Sequence, residues 1–377
     1  MNVRNLMTIV NIYRKAFQNW PLVMLNVLIR KRACAIGKGG TKICDNSAKI
    51  GYIARIIYKF DIHYIVYTSN CSLIGYSKKL KTLILCKENN LLNSIVFYFL
   101  NNINNIRSII IKDGFVSIDS RILIPIDEFM YSDNELIGIA LKSGWSYDPS
   151  GRFWFRDGIK FRHIHWPIIE TFNLGQYDFM NVYNKVILDI GAFVGDSSIY
   201  FALKGARLVY AVEPLPSNYD EMVQNIELNG LSDKVIPIKL IISYSDHRIK
   251  VPYSTDIHLR GGSIYDMLKR PYGGYEYVNA LTLKGLYESL AIKPNVLKMD
   301  CEGCEFDIIL NDYETIKRFD EIIFEYHSYI TGHSIYELMN ILNRHFKCTF
   351  MKEEFYKKYF SNYTRDQLGM IYCIRVT

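Results

Sequence analysis

This 377-residue chain has no apolar run approaching the ~18–20 residues that a membrane-spanning helix needs. The longest candidate near the start, Pro21 to Ile29, is short and broken by Asn26. Internal repeats and low-complexity tracts are also missing, which excludes solenoids and arrays. The eight cysteines follow no framework spacing and nothing resembles a secretion signal, so the expectation is reduced thiols in a cytoplasm. Cys301-x-x-Cys304 lacks a second pair at zinc spacing, and no metal is assigned to it. Gly37-Lys38-Gly39-Gly40 lacks the Lys-Ser/Thr pair of a phosphate loop and reads as a turn.

What is present fits a globular protein of two domains. Hydrophobic residues make up 49% and charged ones 22%, enough to bury a core. Aromatics reach 14%, mostly 29 tyrosines, as a Tyr-rich core would show. Charge is uneven: residues 1–130 hold 18 Lys and Arg against 7 Asp and Glu, and the remainder 27 against 31. A basic N-terminal part points toward phosphate, anionic lipid or nucleic acid, or simply a solvated face. Residues 4–32 mix Arg4, Arg14, Lys15, Arg30, Lys31 and Arg32 with apolar side chains, a pattern suited either to a membrane surface or to packing on its own domain.

Two regions follow from the texture of the chain. Residues 1–175 read as an N-terminal mixed α+β region. Its hairpin signals are Lys112-Asp113-Gly114 and Arg156-Asp157-Gly158, each between strand-like runs. From 176 to 377 strands alternate with helices, which implies right-handed crossovers and a parallel sheet covered on both faces. Residues 244–281 interrupt the alternation as an inserted hairpin and loop. The two last strand-like runs, 347–351 and 370–376, are expected to pair antiparallel at one edge. A helix is expected from Ser217 and another over Ser334–Phe346.

Four stretches carry chemistry. In Leu188-Asp189-Ile190-Gly191-Ala192-Phe193-Val194-Gly195-Asp196 a buried strand turns into a helix. The two glycines let the backbone come close to a ligand, and the spacing is not the G-x-G-x-x-G of a dinucleotide site. Glu213, in Val212-Glu213-Pro214, ends the next strand and can accept hydrogen bonds from both ribose hydroxyls of an adenosine. Lys298 and Asp300 break an otherwise apolar strand and share one face, as an acceptor site or as a structural ion pair. Glu325 and His327 close another apolar strand, also on one face, where His327 could deprotonate a hydroxyl.

Taken together, these stretches resemble the FkbM-type methyltransferases. The likeness rests on Asp189 to Gly195, Glu213-Pro214, Lys298 to Glu305, and Glu325 to His327, and covers roughly 175–350. Phe193 departs from the Asn that many members carry. The resemblance implies a Rossmann-like class I methyltransferase sheet, mostly parallel with an antiparallel edge strand, and S-adenosylmethionine as cofactor. Asp189, Gly191, Ala192, Gly195, Asp196 and Glu213 would bind the cofactor. It further implies O-methylation of a hydroxyl on a sugar, glycolipid or secondary metabolite.

On that reading His327 is the base, Glu325 orients it, and Asp300 and Lys298 position the acceptor. A divalent cation held by Asp300 and Glu325 ranks second, because no third ligand is evident. Two rival classes are an RNA methyltransferase using the basic N-terminal region and a catalytically silent binding protein. Against the first, the chain has neither an Asn/Asp-Pro-Pro-Tyr/Phe stretch nor a Pro-Cys pair. Against the second, the site acids are all there. The location expected is cytoplasmic, with membrane-surface contact through the N-terminal region.

Overall fold

The computed structural model describes residues 3–37, 42–60, 62–66, 71–77, 82–86, 108–112, 114–118, 122–130, 132, 134–245, 247–252 and 274–376. The chain divides into two compact units, Met1–Arg156 and Asp157–Thr377.

In the first unit, helices Val3–Ala16, Trp20–Leu28 and Ser47–Phe60 accompany a two-stranded sheet and a six-stranded one. Within the latter, Ser108–Lys112 and Phe115–Ile118 pair as a hairpin with Gly114 at φ 80°. Asp113 and Lys38 to Gly40 lie outside the described residues. Among the described residues, no helix is long and apolar enough to cross a membrane.

The second unit is built on seven strands: β1 Val186–Ile190, β2 Leu208–Val212, β3 Val235–Ile238, β4 Val296–Met299, β5 Glu321–His327, β6 Phe346–Met351 and β7 Leu368–Arg375. Their order is β3-β2-β1-β4-β5-β7-β6, parallel throughout except for β7. This is the Rossmann-like class I methyltransferase sheet. Strands β1 and β4 are buried along their whole length, as a sheet covered on both faces requires. The core joins Leu188, Ile190, Leu297, Met299, Phe306, Phe324 and Leu338. The helices used below are α1 Trp166–Phe172, α2 Asp196–Leu203, α3 Pro216–Leu228, α4 Cys304–Asn311, α5 Ile335–Leu342 and α6 Glu353–Tyr359. Strand order reverses between β1 and β4, and a crevice opens there at their carboxyl ends.

Several local expectations shift. Helix α3 starts at Pro216 rather than after Ser217, since the fixed φ of proline suits a first helical turn. Helix α5 is capped by Ser334 but ends at Leu342. The inserted hairpin forms between His247–Pro252 and Tyr275–Leu281. The closing strands pair antiparallel, though helix α6 stands between them.

Residues 157–175 pack with the second unit. The Arg162 N–H donates to Asn225 Oδ1 at 2.8 Å, and the Thr171 hydroxyl donates to Asp196 at 3.0 Å. The change of texture near 176 therefore lies inside this unit, because a short strand and helix carry no alternating signal of their own.

The reduced-thiol expectation is corrected. Disulfides join Cys34 to Cys44, Cys301 to Cys304 and Cys348 to Cys373. Two of these link directly opposed residues of antiparallel strands. Sequence spacing conceals such pairs, since loop length rather than register separates the partners.

Candidate active site

The turn after β1 is set by steric closeness. Gly191 has φ 78°, and a Cβ there would lie 1.8 Å from the Asp300 carbonyl oxygen. Only glycine lets β1 and β4 approach so closely. The N–H groups of Gly191 and Ala192 both donate to the Val212 carbonyl at 3.0 Å, tying the turn to β2. Gly195, φ 88°, precedes α2, and a Cβ there would crowd Met222 at 3.1 Å.

Asp189 holds this turn from inside. It accepts hydrogen bonds from Ser197 Oγ at 2.7 Å and Ser198 Oγ at 2.6 Å, and pairs with Lys298 Nζ at 2.9 Å. Lys298 also donates to the Gly191 carbonyl at 3.0 Å. The parallel register sets Asp189 opposite Lys298, so the buried ion pair is Asp189–Lys298 rather than one with Asp300. Burial opposes the ammonium charge, but Asp189 and Asp300 outweigh it and keep the Lys298 pKa above its ordinary value.

Glu213 ends β2 with its carboxylate committed to the wall. It accepts from the N–H of Phe193 and of Leu215, both at 3.0 Å, and from Asn218 Nδ2 at 3.3 Å. Burial raises its pKa to about 7, against the pull of those donors. Asp196 opens α2, and burial likewise lifts it to about 7 although Lys298 opposes the shift.

The far end is different. Four carboxylates surround the His327 imidazole, whose side chain is 3% exposed. Nδ1 lies 3.0 Å from Glu305 Oε1, which also accepts the His327 backbone N–H at 2.8 Å. Nε2 faces Glu302 at 3.6 Å, Glu325 at 3.8 Å and Asp300 at 4.0 Å. Burial presses the imidazole toward neutrality, but Glu305 and Glu302 prevail and hold its pKa well above the usual value. Burial, then Asp300, pushes Glu325 up to about 8. The expected neutral base thus stands in a field that favours its proton. The residue that orients it is Glu305, not Glu325.

Both ends open on one cavity of about 550 Å³. Of the residues expected from sequence, Gly191, Asp196, Glu213, Lys298, Asp300 and Glu325 line it. Asp189, Ala192, Gly195 and His327 stand behind its wall. Trp166, Glu170, Gln176, Leu240, Ile241, Ile242 and Glu302 also line it and were not anticipated. Glu302 and Glu305 lay within a quoted stretch, where their charge beside a buried strand was the signal. Glu170 and Gln176 lie far away in sequence and gave none.

Residues 189–350 match the family model of the methyltransferase FkbM domain. Over 70 residues the chain is 39% identical to protein arginine N-methyltransferase 6 of Danio rerio, covering 18% of this chain and a fifth of that protein's length. Among solved structures, M. capricolum TrmK in complex with S-adenosyl-homocysteine is 14% identical, covering 54% of this chain and 67% of that one, with a TM-score of 0.31. An rRNA methylase from Streptococcus thermophilus is 9% identical, covering 52% and 90%, with a TM-score of 0.33. The strand order, not likeness of this degree, carries the fold.

Proposed function

We propose that this chain, whose residues 189–350 match the family model of the methyltransferase FkbM domain, is an S-adenosylmethionine-dependent O-methyltransferase acting on a hydroxyl of a sugar, glycolipid or secondary metabolite. The observation that supports it most is one cavity whose lining joins Glu213 and Leu240 to Ile242 with the carboxylates of Asp300, Glu302 and Glu325. Glu213 stands where a ribose would present its two hydroxyls, and Leu240, Ile241 and Ile242 offer apolar walls for a purine. The carboxylate of Asp196 suits the positive charge of the cofactor's amino group.

When bound, the cofactor supplies a methyl group on sulfur: the S–CH₃ bond breaks as the O–CH₃ bond forms, and its electron pair stays on sulfur. The protein aligns donor and acceptor. Gly191, Ala192 and Gly195 shape the turn that would hold the cofactor, and Asp189 and Lys298 fix that turn from behind. Asp300 and Glu325 face the acceptor, and the hydroxyl proton passes to this carboxylate cluster. His327 holds the cluster together as a positioning residue. Methyl-labelled cofactor incubated with fractionated cell extract tests the reading. Label in glycan, lipid or small metabolite supports it, whereas label in RNA alone or in no fraction overturns it.

The first unit is assigned to acceptor recognition or docking. Leu22, Leu25, Leu28 and Ile29 are each exposed over half or more of their surface, and Arg30, Lys31 and Arg32 follow. Apolar groups beside cations suit an anionic bilayer surface, where a lipid-linked acceptor would be met. Sedimentation with anionic vesicles, lost in a Leu22→Ser/Leu25→Ser variant, checks this contact.

A further inference from the structure

The acidic end contains a donor set that alignment of a methyl group does not itself require. His327 is almost fully buried, and its Nε2 has no hydrogen-bond partner among the described residues. Three carboxylate oxygens face it at 3.6, 3.8 and 4.0 Å. An imidazolium bound to one of them would close to roughly 2.7–2.9 Å, the usual length of a charge-assisted hydrogen bond. At the observed spacing Nε2 makes no contact that close. One donor atom each from Asp300, Glu325 and His327 can be chosen so that all lie within 4.8 Å of one another. Ligands roughly 2.0–2.2 Å from a cation stand about 3–4 Å apart, so only a small contraction is needed.

The surrounding hydrogen bonds leave several donor atoms turned toward one another. With Nδ1 beside Glu305, Nε2 is the ring atom left to a cation, which would take the place of its proton. Glu325 Oε2 accepts from the Tyr356 hydroxyl at 3.0 Å and from Gln176 at 3.4 Å, leaving Oε1 turned to the imidazole. Glu302 accepts from the Tyr329 hydroxyl at 3.5 Å. Glu302 is itself held at φ 55°, beside Gly303 at φ 111°. A left-handed non-glycine residue is strained, and here the strain turns a carboxylate toward the cluster.

We propose that Asp300, Glu325 and His327 bind a single first-row divalent cation of the Mn²⁺ or Zn²⁺ kind, with Glu302 beside them. Two carboxylates with one imidazole form a hard, mixed oxygen and nitrogen set, which suits these ions better than Cu⁺ or an iron–sulfur cluster. A dication also neutralises the crowded carboxylates that the lone imidazole offsets only in part. The cation stands at the cavity wall where an acceptor oxygen would arrive. Only that use, not the site, rests on the methyltransferase reading.

The test is titration of the full-length protein with Mn²⁺, followed by the loss of the free-ion electron paramagnetic resonance signal, without cofactor. One ion per chain is expected, displaced by Zn²⁺. Asp300→Asn, at a side chain 30% exposed, should fold normally and weaken binding at least tenfold, and Glu325→Gln and His327→Ala should do the same. Absence of binding at millimolar Mn²⁺ and Zn²⁺ overturns the proposal. So does affinity unchanged in folded Asp300→Asn and Glu325→Gln. Calorimetry with S-adenosylmethionine on the same samples separates the two readings. A chain that binds Mn²⁺ but not the cofactor keeps this site and loses the proposed function, and the reverse result does the opposite.

Discussion

The two ends of the crevice treat buried charge in opposite ways. At the Gly191–Glu213 end each charged group finds its partners inside the wall: Asp189 has Lys298 and two serines, and Glu213 has three N–H donors. At the Asp300 end four carboxylates share one imidazole, and its Nε2 touches none of them closely. The first end is a finished scaffold that shapes a pocket. The second is complete only when further positive charge comes from outside, as the proposed metal ion would supply. Changes at the first should therefore act on stability and cofactor affinity, and changes at the second on turnover.

The largest effect tests that division directly. Asp300→Ala should lower turnover by about 10²–10⁴-fold, the range for losing a positioned proton acceptor or its equivalent, with cofactor affinity within about threefold of wild type. Steady-state kinetics beside calorimetry gives the answer, and a parallel loss of affinity would abolish the contrast between the ends. Next comes Lys298→Met, which strands Asp189 as a buried unpaired carboxylate. Thermal or denaturant unfolding should show a loss of about 3–5 kcal/mol. A near-neutral result would mean that the pair does not hold the turn.

Glu213→Ala should weaken cofactor binding by about 1–3 kcal/mol through lost charge-assisted hydrogen bonds. Equal affinity in the two proteins would move the ribose elsewhere.

How far these roles could be read beforehand depends on whether a residue breaks a local pattern. Lys298, Asp300, Glu325 and His327 stood out because charge is anomalous in or just beyond a buried parallel strand. The glycine turn stood out because Gly191 and Gly195 bracket a strand-to-helix change. Partners were another matter. Lys298 pairs with Asp189 because β1 and β4 are neighbours in register, which the order along the chain does not reveal. Glu305 takes Nδ1 of His327 because α4 begins just after β4 and turns its first residues back toward β5. Tyr356 and Gln176 reach Glu325 from 31 and 149 residues away, and nothing in their own neighbourhoods announces it. The neutral-base assignment was made without those partners. It used the ordinary pKa of an isolated imidazole, whereas the folded chain gathers carboxylates around it.

The pH dependence of cofactor binding sharpens the comparison further. Glu213 accepts hydrogen bonds best as a carboxylate, and its pKa lies at about 7 because burial opposes the charge. Cofactor affinity should rise as pH increases through about 7 and level off above it. Below that point it should fall by up to about tenfold per unit. Glu213→Gln should flatten the curve. Stability runs the other way. A carboxyl whose folded pKa is raised keeps its proton after the unfolded chain has lost it, so stability declines as pH climbs from the unfolded value, near 4–4.5, to about 7. Asp196, also near 7, adds to that decline, and denaturant melts between pH 4 and pH 8 would register both.

The smallest expected effect on cofactor affinity is that of removing residues 1–156. Every residue lining the crevice, at both ends, belongs to the unit that starts at Asp157. A chain beginning there should bind S-adenosylmethionine within about twofold of the full protein and keep its Mn²⁺ affinity, while methylation of the physiological acceptor fails. A chain beginning at Phe172 is the informative contrast. It loses Trp166 and Glu170 from the cavity wall and the Thr171 hydroxyl that donates to Asp196 at 3.0 Å. It also loses the Arg162 N–H bond to Asn225, which in turn donates to the Val194 carbonyl beside the glycine turn at 2.9 Å. Each lost hydrogen bond is worth about 0.5–1.5 kcal/mol, and the Asp196 carboxylate is buried, so cofactor affinity should drop where the longer truncation product keeps it. If both fragments bind equally well, α1 is dispensable to the crevice and the boundary belongs nearer to 175. If neither binds while both remain folded, the first unit contributes to the cofactor end, and acceptor recognition is not its only task.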